Sequence, residues 1–142
     1  MRFLIVLCAT IPVLQAVPVS KLTEIFREGC FEFENVPQEA IDKLRERRYD
    51  LVLGYEAQCF VRCMGLMTGI WNDYTGFDIE RTYKYLNAEK LDVTMENLKK
   101  CLTVRREHNQ DKCLWAAWDI KCLWTNAYVP TEPTINWWIP RE

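Results

Sequence analysis

The chain has one histidine, and that scarcity removes whole classes of chemistry. A metal site built from several histidines is excluded, and a Ser/His/Asp arrangement would have to run through His108 alone. His108 lies in the polar run RREHNQD, residues 105–111, which reads as a solvent-exposed loop. Positive charge is not in excess either: 18 Lys and Arg stand against 20 Asp and Glu, for a net charge of −2. The densest basic cluster, Arg45 to Arg48, carries its own Glu46 and reads as a solvated helix face near a C-terminal end, where cations suit the dipole. Nucleic-acid binding therefore lacks the basic stripe it would need. Among the acids no spacing singles out a catalytic pair. There is no internal repeat, no low-complexity tract, no period-two strand pattern and no hairpin signal.

Long apolar runs are missing as well, with one short exception at the start. MRFLIVLCATIPVLQA has one Arg followed by an apolar stretch broken by Pro12, too short and too lightly flanked to span a membrane. It reads as a secretory signal peptide over residues 1–16, cleaved after Ala16. The remainder, 17–142, has the length of one domain. No cofactor and no membrane insertion are expected for it.

Cysteine, by contrast, is abundant. Of seven, Cys8 leaves with the leader, and the remaining six can pair completely. With all six committed to disulfides, thiol catalysis is not expected. Cys59 and Cys63 lie one helical turn apart in an apolar stretch from Tyr55 to Trp71. Residues four apart on a helix hold their Cβ atoms about 5–6 Å from each other, whereas a disulfide needs about 3.5–4.5 Å. Each must reach a different partner, so this helix is a hub. Cys113 and Cys122, nine residues apart on one helix, are about 13.5 Å apart along its axis and cannot pair either. Spacing leaves the other pairings open.

Helical periodicity covers most of the chain. Ser20 caps a first helix with Leu22, Ile25 and Phe26 on one face; Pro37 opens a second, running to about Arg48. The hub helix is apolar on most sides, hence buried, and Gly69, Asn72 and Asp73 mark its exit. Asp78 caps a fourth helix, Thr94 or Asp92 a fifth, and DKCLWAAWDIKCLWTNAY is the last. On that helix Cys113, Ala117, Ile120 and Trp124 face one way and Trp115, Trp118 and Cys122 the other. From about residue 129 the character changes. Pro130, Pro133 and Pro140 rule out a regular helix, yet Ile135, Trp137, Trp138 and Ile139 are too apolar to be left in solvent, so the tail should dock back on the body.

As spacings, the six cysteines run Cys30-x28-Cys59-x3-Cys63-x37-Cys101-x11-Cys113-x8-Cys122. This frame, with its x3 and x8 intervals behind a leader, resembles the insect pheromone- and general odorant-binding protein superfamily. The resemblance covers nearly the whole chain after residue 16. It implies an all-α fold of six helices around an internal hydrophobic pocket, with disulfides 30–63, 59–113 and 101–122. It implies a secreted, non-enzymatic carrier of a small hydrophobic ligand such as an odorant, pheromone or lipid-like mediator. The stretch QCFVRCMGLMTGIWND followed by GFDIERTYKYL also resembles the D-seven salivary branch, which would make the ligand a host biogenic amine or eicosanoid. A third reading is a disulfide-rich secreted protein acting through its surface on a protein partner; dimerisation and receptor contact are not legible.

The candidate pocket residues are Met64, Met67 and Trp71 of the hub, Leu86 and Met95, Ala116, Ile120, Leu123 and Trp124 of the last helix, and Trp137 and Trp138 of the tail. Met adapts to ligand shape, and Ala116 and Ala117 leave room opposite large tryptophans. An amine would need a buried carboxylate beside aromatic walls, for which Asp119, near Trp115 and Trp118, is best placed. The inward faces carry Met, Trp and Leu and no acid, which favours an apolar ligand.

Overall fold

A computed structural model describes residues 19–50, 53–102 and 111–129. The predicted leader, the 103–110 loop with His108, and the tail with Trp137 and Trp138 lie outside these residues. Among the described residues the chain forms six α-helices: α1 (Val19–Phe33), α2 (Gln38–Arg45), α3 (Tyr55–Met67), α4 (Ile79–Ala88), α5 (Met95–Leu102) and α6 (Lys112–Thr125).

The caps predicted at Asp78 and Thr94 operate where the sequence placed them, and Asp111 supplies a further one. The Asp78 carboxylate accepts from the Arg81 N–H at 2.9 Å, the Asp111 carboxylate from the Leu114 N–H at 3.0 Å, and the Thr94 hydroxyl from the Asn97 N–H at 3.1 Å. Helix ends follow one pattern. After α1, α2, α3, α4 and α6 a single residue takes the left-handed conformation, at Asn35, Arg47, Gly69, Lys90 and Ala127. The following N–H then reaches back five residues, as in Val36 to the Phe31 carbonyl (3.0 Å), Ile70 to Gly65 (3.0 Å) and Leu91 to Leu86 (2.9 Å). Only one of the five is glycine, so sequence shows only that exit plainly. These reversals turn Val36, Ile70 and Leu91 inward, where all three are buried.

The disulfides are Cys30–Cys63, Cys59–Cys113 and Cys101–Cys122. They join α1 to α3, α3 to α6 and α5 to α6, so the hub helix is held from both sides. Phe31 stacks on Phe60 at 4.4 Å between ring centroids. Together, the Cys30 bridge and this stack set the rotation of α1. They turn Thr23, Cys30 and Phe31 inward, spaced by seven and one, and leave Leu22 and Ile25 40% and 55% exposed. The expected inward face of Leu22 and Ile25 is thus corrected. The helix also already includes Val19, ahead of the predicted cap at Ser20.

A second correction is a small antiparallel ladder after α3: β1 (Trp71–Asn72) pairs with β2 (Gly76–Phe77), in register Trp71 with Phe77 and Asn72 with Gly76. Two-residue strands are too short to carry an alternating pattern, so no periodicity could announce them. The ladder folds back onto α3 because Gly65 has no side chain; a Cβ there would lie 2.5 Å from the Trp71 Cβ. Gly76, at φ +81°, admits the Trp115 ring where a Cβ would sit. Trp71 then meets Phe77 and Trp115 edge-on, with centroids 4.8 and 4.9 Å apart. Asp73, in the connecting turn, clamps the ladder to α3. It accepts from Arg62 Nε and from Trp71 Nε1, each at 2.8 Å, and the guanidinium holds its carboxyl at about 2.

The Arg45–Arg48 run is not simply a solvated face. Arg45 pairs with Glu28 of α1 at 2.9 Å, Arg47 with Glu89 after α4 at 3.1 Å, and Arg48 with Asp50 at 3.2 Å. The end of α2 is therefore tied to two other helices, and this brings Arg47 to the cavity described next.

Candidate functional site

A cavity of about 80 Å³ lies among α1, α2, α3, α4 and α6. Its apolar wall comes from Leu44 of α2, Phe60, Val61 and Met64 of α3, Ile70 and Phe77 from either side of the ladder turn, Leu86 of α4, Leu91 after it, and Ile120 and Trp124 of α6. Thr82, Tyr85, Leu86 and Glu89 enter from α4 and its end at spacings of three, one and three, which is one helical face. At the polar end stand Arg27, Arg47, Tyr49, Tyr85 and Glu89. Thr82 and Trp124 are buried and line the cavity, yet among the described residues the Thr82 hydroxyl and the Trp124 indole N–H have no hydrogen-bond partner. Nearly all buried polar groups are satisfied in folded proteins, so two orphans on one cavity wall single that wall out.

A second, larger space of about 200 Å³ lies against it, lined by Leu53, Ala57 and Gln58 on one side and Leu114, Ala117, Trp118 and Lys121 of α6 on the other. Tyr49 and Val61 belong to both walls. The smaller space has the more deeply buried lining, including Phe60, Leu86 and Trp124, each 5% exposed or less; the larger has half-exposed Trp118 and Lys121 on its rim. The first is therefore the candidate site and the second its neighbour. Tyr49, held edge-on to Trp124 at 4.5 Å, divides them.

Burial pushes the Tyr85 hydroxyl up to about 12, with the charges of Glu89 and Tyr49 adding to the effect, and burial raises Tyr49 in the same way. Both phenols keep their protons at neutral pH and can act as hydrogen-bond donors.

Of the residues proposed from sequence, Met64, Leu86, Ile120 and Trp124 stand on the cavity wall. Of the rest, Trp137 and Trp138 lie outside the described residues and the other five stand elsewhere. Met67 is 51% exposed at the end of α3; Trp71 is spent on Phe77 and Trp115; Ala116 and Leu123 are buried among the helices; Met95 is half-buried at the start of α5. None of these five lines either space. The reason is rotational: a helix apolar on most sides offers several candidate faces, and the disulfides decide which one meets the cavity. Asp119 is fully buried but off the cavity wall. The acid on that wall is Glu89, so the expectation of an acid-free lining is also corrected. Sequence reasoning missed Phe60, Val61, Thr82, Tyr85 and the two arginines. The face at 82, 85, 86 and 89 was the signal available for α4; nothing local pointed to Arg27.

A shell of helices braced by crosslinks around a mainly apolar cavity is a ligand-binding architecture. Among the described residues no cluster of three His, Cys, Asp or Glu side chains could hold a metal ion, and no helix is long and apolar enough to cross a membrane. The chain belongs to the PBP/GOBP family, which its residues 16–126 match. It is also similar to general odorant-binding protein 99a of Drosophila melanogaster, 23% identical over 101 residues that make up 69% of each chain.

Proposed function

We propose that the protein is a secreted, non-enzymatic carrier that holds a small, mainly apolar molecule in the cavity walled by Phe60, Met64, Leu86, Ile120 and Trp124. The observation that carries this reading is the pair of unpartnered buried groups on that wall, the Thr82 hydroxyl and the Trp124 N–H. Membership of the PBP/GOBP family and similarity to an odorant-binding protein support it. Secretion after removal of residues 1–16 accords with three disulfides, which persist in oxidising compartments.

The energetics are favourable. Keeping an 80 Å³ space open costs about 2 kcal/mol at roughly 24 cal/mol per Å³, and a single disulfide contributes about 2–4 kcal/mol. Since an engineered cavity of about 150 Å³ accommodates benzene, a ligand larger than a few heavy atoms must also use the space beyond Tyr49 and Val61. The tail, with Trp137 and Trp138, is proposed to complete the site, as apolar surface in need of cover.

Native mass spectrometry of the purified full-length chain, followed by displacement titrations with medium-chain lipophilic compounds, tests the reading. Retained ligand, or saturable binding of one ligand per chain, is expected; the absence of both overturns it. Truncation after Pro133 should weaken binding at least tenfold, about 1.4 kcal/mol, and unchanged affinity would reduce the tail to packing.

A further inference from the structure

The polar end of the cavity has an unbalanced charge. Its wall carries two cations, Arg27 and Arg47, and one anion, Glu89. Glu89 Oε2 accepts from Arg47 Nη2 at 3.1 Å, and its backbone carbonyl accepts from Arg47 Nη1 at 3.5 Å, so that acid and that arginine neutralise each other. Arg27, on α1, has no such counterpart. Among the described residues no hydrogen bond or ion pair engages its guanidinium, and its chain neighbour Glu28 is held through both oxygens by Arg45, at 2.9 and 3.1 Å. The Arg27 charge acts on the Tyr49 and Tyr85 hydroxyls, both neutral donors at physiological pH. A guanidinium cannot shed its proton, and it offers a planar fork of donors matched to a carboxylate. Beyond it the wall becomes apolar through Phe60, Met64 and Ile120.

Resting on the carrier reading above, we propose that the preferred ligand is an amphiphile with a single negative charge, its carboxylate seated on Arg27 and its hydrocarbon part lying along Phe60, Met64 and Ile120 and continuing past Tyr49 and Val61 into the larger space. One carboxylate brings the wall to neutrality and satisfies the half-buried guanidinium with charge-assisted hydrogen bonds. A neutral alcohol of the same length leaves that charge uncompensated, and an amine adds a second. The selection is therefore by headgroup, with the apolar chain supplying affinity common to all three.

The test uses three probes of equal chain length, octanoate, octan-1-ol and octylamine, titrated into the full-length oxidised protein at neutral pH by calorimetry. Octanoate should bind at least tenfold more tightly than either of the others. Arg27→Gln should lower octanoate affinity at least tenfold and leave octan-1-ol within about twofold, and Arg27→Lys, which keeps the charge without the fork, should retain a preference for octanoate over octan-1-ol. Octan-1-ol or octylamine binding as tightly as octanoate in the wild type would overturn the assignment, as would an Arg27→Gln variant that weakens octanoate and octan-1-ol equally. If octan-1-ol binds and octanoate does not, the headgroup assignment falls and the carrier reading stands. If none of the three binds the wild type, both fall. Should Arg27→Gln fail to fold, the wild-type ranking and the Arg27→Lys variant still decide.

Discussion

Replacing Thr82 by valine should make the ligand-free protein more stable and the ligand-binding protein worse at its task. Thr82 sits on the inner face of α4 with none of its surface exposed, and its hydroxyl has no partner. A buried polar group left unpaired costs about 1–3 kcal/mol, and an apolar group of the same shape removes that cost. Valine keeps the branched shape and has nearly the helix propensity of threonine, so little offsets the gain. About 1 kcal/mol or more of stabilisation follows, and for a domain of this size each kcal/mol raises Tm by roughly 3–6 °C. Binding moves the other way. A ligand group that hydrogen-bonds the hydroxyl contributes about 0.5–1.5 kcal/mol net, so affinity should fall about two- to tenfold. Thermal unfolding of Thr82→Val without ligand, paired with calorimetric titration, reads both signs. A Tm lowered by several degrees would mean that the hydroxyl is already satisfied in the empty protein, and the argument from orphaned wall groups would be refuted.

Asp73 gives a pH signature. Arg62 holds its carboxyl at about 2, below the usual carboxylate range, so its contribution is fully present above about 4 and is lost as pH falls through about 2. The shift corresponds to at most about 2.5 kcal/mol, and the third of the side chain open to solvent reduces that to about 1. Asp73→Asn should therefore be less stable than wild type at pH 6, with the gap closing by pH 2 in denaturant titrations; a gap independent of pH would exclude the ion pair as its source. Among the crosslinks, removing Cys59 and Cys113 together should cost most, about 4 kcal/mol for a separation of 54 residues, against about 3 kcal/mol for Cys101 and Cys122 at 21; the reverse order in chemical denaturation would contradict the loop argument. Gly76→Ala adds a methyl 2.6 Å from the Trp115 ring at a positive φ, and should cost about 2–4 kcal/mol. Gly69→Ala has a similar φ but open space around it, and should cost only about 1–2 kcal/mol. Equal losses would show that Trp115 yields freely.

The helices, the caps at Asp78 and Thr94, and the frame of six cysteines were legible in the chain because each depends on neighbours a few residues away or on a spacing that can be counted. The burial of the hub helix was legible only in part: Ala57, Cys59, Phe60, Val61 and Gly65 are buried, but Leu66 and Met67 at its end are 42% and 51% exposed although they are as apolar. Local pattern also led astray in a consistent way. Leu22 and Ile25 outrank Thr23 on any hydrophobicity scale, yet Thr23 is buried and they are exposed. Met67 and Met95 are as suited to a ligand as Met64, but only Met64 reaches the cavity.

In each of these cases the deciding quantity is the rotation of a helix about its axis, set here by bonds to distant partners: Cys30 to Cys63, Phe31 on Phe60, and Cys59 to Cys113. The sequence by itself determined that this would be a helical protein crosslinked through one hub helix, because periodicity and cysteine spacing are properties of the chain. Tertiary structure alone decided the cavity's wall and its charge. Arg27, Arg47, Tyr49, Tyr85 and Glu89 are scattered over three helices and their ends, and only packing makes them neighbours. Only then can Glu89 neutralise Arg47 and leave Arg27 on the cavity wall with no counter-charge among the described residues.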